Sequence, residues 1–89
     1  MLALPAVVTH DQALDVAHDL KAQLASQADG VVIDASALKQ FDSSALAVML
    51  GCRREAMAIG KSFAVRGLPT KLGQLAGLYG VAELVPATA

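Results

Sequence analysis

Val31-Val32-Ile33-Asp34-Ala35-Ser36-Ala37-Leu38-Lys39-Gln40-Phe41-Asp42-Ser43-Ser44-Ala45-Leu46 is the stretch that decides how the chain folds. Its first three residues are a β-branched run without polar alternation, the pattern of a strand covered on both faces. A loop of about eight residues, Asp34 to Phe41, leads away from that strand. Asp42-Ser43-Ser44 then supplies helix-capping side chains, and Ala45, Met49, Cys52, Ala56 and Ile59 follow at spacings of three and four. That is one buried stripe of a helix. Gly60 stops it in a position where a left-handed conformation is cheap only for glycine. Open α/β sheets place their sites beyond the carboxyl ends of their strands, so this loop and helix start are the first place to look for function.

Upstream, Leu2–Leu4 is a short apolar run stopped by Pro5 and reads as a strand or strand end. Thr9-x-x-Gln12 matches a capping box, and Ala13, Leu14, Ala17, Leu20 and Leu24 continue as a helical stripe. Asp29-Gly30 is the turn that ends this helix. Downstream, Phe63-Ala64-Val65 reads as a strand. Pro69 and Thr70 start a third helix carrying Leu72, Leu75, Ala76 and Tyr79, closed by Gly80. Leu84-Val85 is a last short strand before Pro86. The order β-α-β-α-β-α-(β), with short connections, predicts one domain over residues 1–89. It is an α/β layer of about four strands covered by three to four helices.

Composition narrows the class. Of 89 residues 55% are hydrophobic, 17% charged and 3% aromatic, and the net charge is −1. With a mean hydropathy of +0.52 this is the reverse of a disordered chain. Cys52 has no partner for a disulfide, which suits a reducing compartment. A pI near 6.0 argues against a nucleic-acid footprint. No apolar run approaches a membrane span, and MLALPAVVTHD lacks the features of a signal peptide, so the expected location is cytoplasmic. Charge is nevertheless uneven: residues 1–38 balance to −4 and residues 39–89 to +3.

Asp42, Ser43 and Ser44 sit where free backbone N–H groups and the positive end of a helix dipole favour an anionic group. A plain helix cap is the competing reading of the same residues. The helix they open has a surplus of apolar residues: Leu46, Leu50 and Met57 lie off the buried stripe, interrupted by Arg53 and Arg54. Either a partner covers that face or the small domain wraps the helix more fully than usual. Gly51 in mid-helix suggests a close backbone approach. Cys52 falls in the core stripe, and His10 and His18 lie among acids on a polar face. No histidine pair or cysteine cluster suggests a metal, no phosphate-binding glycine loop is present, and Ser43 lacks a nucleophile elbow. The residues suggest no enzyme, no metal and no cofactor.

Asp34-Ala35-Ser36-Ala37-Leu38 followed by Phe41-Asp42-Ser43-Ser44-Ala45-Leu46 resembles the STAS domains. Their pattern is a strand ending in Asp-hydrophobic-Ser, a short loop, then Asp-Ser-Ser/Gly-Gly-Leu opening a helix. Leu75-Ala76-Gly77-Leu78-Tyr79-Gly80-Val81, Leu84-Val85-Pro86 and the opening Leu2-Ala3-Leu4 look like the MlaB branch, the small STAS subunit of a phospholipid-transport system. The resemblance implies a small sheet with helices over it. It also implies that Ser43 corresponds to the hydroxyl that antagonist STAS proteins present to a kinase, with Asp42 the acid before it and Asp34 the acid ending the strand. Ala45 stands where the family has glycine, adding a methyl where a partner would approach. The chain also begins at what resembles the family's second strand. An uncovered sheet edge is a pairing surface, for a homodimer or for a partner.

By the MlaB-like resemblance, the expected function is a non-enzymatic accessory subunit that binds the cytoplasmic ATPase of a phospholipid ABC transporter. It would reach the membrane only through that complex and would bind no nucleic acid. The candidate contact set is Asp42, Ser43, Ser44, Leu46, Ala47, Leu50, Arg53, Arg54 and Met57. The rival from the same resemblance is an anti-sigma-factor antagonist switched by phosphorylation at Ser43. A small serine hydrolase is a third class, which the lack of a base for Ser43 disfavours.

Overall fold

Short apolar runs separated by helices pair in parallel, because a helix returns the chain to the same end of the sheet. The structure, a computed structural model, describes residues 2–27 and 30–88. Along it run β1 (Leu2–Ala3), β2 (Val7–Val8), α1 (His10–Leu24), β3 (Gly30–Asp34), β4 (Gln40–Phe41) and α2 (Ser43–Ala58). Then follow β5 (Ser62–Arg66), α3 (Thr70–Leu78), a 3-10 turn (Ala82–Leu84) and β6 (Ala87–Thr88). The main sheet has the order β1-β3-β5-β6 with every pairing parallel, Val31 opposite Phe63 and Asp34 opposite Arg66. The expected α/β layer is what forms.

Small aliphatic residues do the packing. Leu2, Leu4, Val31, Ile33 and Val65 from the sheet meet Leu20 and Leu24 of α1, Met49, Cys52 and Ala56 of α2, and Leu72 of α3 in one apolar cluster. Burying each of the Leu, Ile, Val and Met side chains contributes about 1.5–3 kcal/mol. The cluster contains no buried polar residue. Gly60 and Gly80 end α2 and α3 at φ +74° and +70°, as their positions predict.

Several details differ from the sequence reading. The connection from Asp34 to Phe41 is not all loop: Gln40-Phe41 forms β4, which pairs with β2. In β3, Val31 and Ile33 are buried but Val32 is only half-buried, so the strand does alternate. Helix α1 ends at Leu24, and Gly30 belongs to β3 rather than to a turn. Asp29 lies outside the described residues. Leu14 is 81% exposed, because the buried stripe of α1 runs through Leu20 and Leu24 with Ala13, Val16 and Ala17 beside it. One residue along a helix is a turn of about 100°, enough to carry Leu14 off that stripe. Ile59 and Tyr79 are exposed because each is a C-cap residue, where the chain leaves the helical direction. Leu84-Val85 is not a strand. It spans the end of the 3-10 turn, with Val85 in the core, and the last strand forms after Pro86.

Candidate functional site

The pairing of β2 with β4 places Val8 opposite Phe41, so the chain leaving each of these strands enters its helix beside the other. Asp42 exploits that register. With an extended backbone (φ −134°, ψ −165°) it is the N-cap of α2, and its Oδ1 accepts the Ser44 backbone N–H at 2.8 Å. Its Oδ2 accepts the backbone N–H of His10, the first residue of α1, at 3.1 Å. One carboxylate therefore satisfies a free donor at the starts of two helices. The Ser44 N–H, with a smaller contribution from His10, holds the Asp42 carboxyl below its ordinary pKa. Another N–H at the start of α1, that of Thr9, donates to Gln12 Oε1 at 3.1 Å, the half of the capping box that reaches back.

A second acid closes the neighbouring loop. Asp34 ends β3, and its Oδ1 accepts the Ser36 hydroxyl at 2.6 Å and the Ser36 N–H at 3.0 Å. These bonds, with Arg66 opposite on β5, hold its carboxyl below the usual range. The following loop packs on this turn. Gly67 adopts φ +68°, and a Cβ there would lie 2.9 Å from the Ser36 Cβ. Ala35 N–H donates to the Arg66 carbonyl at 2.8 Å. Asp34, Ser36 and Gly67 thus brace the carboxyl end of the sheet.

The candidate contact residues divide into those on one face and those off it. Ser43, Ala47, Leu50, Arg54 and Met57 recur at spacings of four and three along the outer face of α2. Leu50 is half-buried and the other four are exposed. Ser44 and Arg53 are half-buried at the flanks. Leu46 does not belong to this surface: at 3% exposure it joins the core, so the surplus of apolar residues on α2 is smaller than the sequence suggests. Ala45 is fully buried, and its methyl faces the core rather than a partner. A Cβ on Gly51 would meet nothing within 4 Å, so no close approach within the chain explains that glycine.

Clefts lie on both sides of the exposed face. On one side His10, Ala13, Leu14 and Ala17 of α1 face Ala47 and Val48 across an open apolar groove of about 320 Å³. Further along, Lys21 and Glu55 bridge the two helices at 3.3 Å. On the other side Leu50, Arg53, Arg54 and Met57 face Leu84 of the 3-10 turn across about 420 Å³. Leu14 and Leu84 are the members that sequence reading missed. An apolar residue one step off the Ala13/Ala17/Leu20 stripe was the available signal for Leu14.

The chemistry offered is that of a contact surface. Burial pushes the Cys52 thiol up to about 11, out of reach of thiolate chemistry. The Ser43 hydroxyl makes no hydrogen bond among the described residues, and no group of three His, Cys, Asp or Glu among them could hold a metal ion. No helix among them is long and apolar enough to cross a membrane.

A family model described as "Mlab, STAS domain" matches residues 1–86. Among solved structures, the anti-sigma factor antagonist SpoIIAA in its unphosphorylated form is similar, with a TM-score of 0.75 and 14% identity. That match covers 98% of this chain and 76% of the other, and at such identity it speaks for the fold alone. No curated protein matches the chain.

Proposed function

The chain belongs to the MlaB-type STAS domain family, and from that premise we propose that it is a non-enzymatic accessory subunit of a phospholipid ABC transporter. It binds the transporter's cytoplasmic ATPase and supports its assembly or activity. The observation that carries this reading is the outer face of α2. Ser43, Ala47, Leu50, Arg54 and Met57 make a continuous, largely apolar outer stripe with Arg54 within it and Arg53 at its flank, a composition suited to a protein contact. The subunit needs no cofactor and stays in the cytoplasm, meeting the membrane only through its partner. β1 lies at the edge of the main sheet, with no strand on its outer side among the described residues, and a second copy would pair there in this reading. Co-purification with an ABC ATPase, lost in Leu50→Asp and in Ser43→Glu variants that still melt cooperatively, is the expected result. Retained binding in both variants rejects this surface.

One observation favours a second reading, a phosphorylation switch of the anti-sigma-antagonist kind. The Ser43 hydroxyl is exposed at the first position of a helix, where a phosphoryl group would meet the dipole's positive end. The Asp42 carboxylate already occupies that end, so the added charge would also be repelled. Mass spectrometry after incubation with candidate switch kinases and ATP separates the readings. An unmodified Ser43 and Ser44 would count against the switch.

A further inference from the structure

We infer that the cleft between α2 and the 3-10 turn holds a narrow, acidic segment of the partner protein, anchored by an apolar residue. The inference rests on the accessory-subunit reading for the identity of the partner, but not for the chemistry of the segment. The cleft's walls are Leu50 and Met57 on one side and Leu84 on the other, with Arg53 and Arg54 along its margin. Among the described residues neither arginine makes an ion pair, whereas Lys21 on α1 is already matched by Glu55. Two arginines lining an apolar slot are complementary to carboxylates, which each guanidinium can bind through paired N–H donors.

The shape of the charge distribution selects the occupant. Elsewhere α1 exposes Asp11, Asp15 and Asp19, the last lining a separate cleft with Ala3 and Pro5. A broad anionic surface, such as a membrane rich in acidic lipid, would meet exposed charge of mixed sign, whereas the cleft itself is lined by no acid. A segment one chain wide can lie in the cleft and meet only the arginines. Between α1 and α2, Arg54 shares its surroundings with Glu55 and with Lys21, which Glu55 pairs, whereas the cleft on the Arg53 side is lined by no acid, so the acidic segment belongs there.

The test places a photo-crosslinking amino acid at position 57, where the Met57 side chain is 55% exposed and can be replaced without disturbing the core. The same residue placed at exposed Leu78, outside the cleft, is the control. Crosslinking in cells followed by mass spectrometry reads the sequence of the captured segment. The expected segment holds two or more Asp or Glu residues next to a large apolar residue and is not captured from position 78. Arg53→Glu combined with Arg54→Glu should reduce its capture by on the order of tenfold or more while circular dichroism and thermal melting show a folded protein. No position-specific crosslink, a captured segment without acids, or capture indifferent to the charge reversal overturns the inference. So does sedimentation of the wild-type protein with phosphatidylglycerol-rich vesicles when it is lost on the same charge reversal. An acidic segment from a protein other than an ABC ATPase would uphold the cleft's chemistry and reject the transporter reading.

Discussion

The Asp42 carboxylate accepts the backbone N–H of His10, 32 residues earlier in the chain, while capping its own helix through Ser44. The starts of α1 and α2 are therefore tied to one side chain at the end of the sheet where the candidate contact face begins. The link exists because β2 and β4 pair with Val8 opposite Phe41, which brings both helix starts together. Replacing Asp42 should thus affect two helices. Asp42→Ala is expected to lower the melting temperature more than Asp42→Asn, which keeps one amide oxygen for the Ser44 N–H. Amide hydrogen exchange should show faster exchange in the first turns of both α1 and α2. Faster exchange confined to α2 would show that the His10 bond contributes nothing.

Acid should weaken the fold through Asp34 and Asp42. Both carboxyls titrate below their ordinary value in the folded protein, because each accepts a nearby backbone N–H and Asp34 also the Ser36 hydroxyl. A depressed folded pKa stabilises the protein above the unfolded value of about 3.9, and that contribution is lost as pH falls through the folded value. Melting temperatures should be insensitive to these two groups from neutral pH down to about 5 and fall below about 4. The acid limb should be shallower in a variant carrying both Asp34→Asn and Asp42→Asn.

Gly51 should be replaceable. Its Cβ position is open, so Gly51→Ala is expected to stabilise the isolated protein by about 1 kcal/mol through helix propensity alone. Urea denaturation measures that gain. If a partner backbone packs over this helix at Gly51, the same substitution should weaken partner binding while raising stability.

Leu14 and Leu46 should exchange the roles that a reading of the sequence assigns them. Leu46→Ala removes a core side chain and is expected to cost about 2–4 kcal/mol. Leu14→Ser changes an exposed residue and should alter stability by no more than about 0.5 kcal/mol. Chemical denaturation of the two variants decides the matter, and a larger loss for Leu14→Ser would contradict the packing described above.

Lys61 closes the far end of α1. Its ammonium donates to the carbonyls of Leu24 and Ala25, at 3.2 Å each, and to that of Gln27. These acceptors lie at the negative end of the helix dipole. Lys61→Met keeps most of the stem but removes every donor, and is expected to cost about 1 kcal/mol by urea denaturation. Lys61→Arg should recover most of the loss.

Much of the architecture is legible in local patterns. The β-branched run at Val31, the Ala45/Met49/Cys52/Ala56 stripe and the stops at Gly60 and Gly80 each depend on neighbours within a few residues, and each stands in the structure. Asp42-Ser43-Ser44 as a helix start is legible for the same reason, since a cap bonds to its own first turn. The less regular pieces were not legible. A two-residue strand such as Gln40-Phe41 carries no periodicity and becomes a strand only because Val7-Val8 lies beside it.

The sequence by itself determined the order of helices and strands, the family pattern at Asp34–Leu46 and the chain's aliphatic character, because these follow from spacing and side-chain chemistry. Only the tertiary structure decided which apolar residues remain on the surface. Leu46 enters the core and Leu14 does not, because burial depends on where neighbouring helices and strands come to rest. It also decided that Asp42 serves two helices and that Arg53 and Arg54 border a cleft with Leu84. Those relationships join residues some 30 apart in the chain, and only strand register and helix packing bring such residues together.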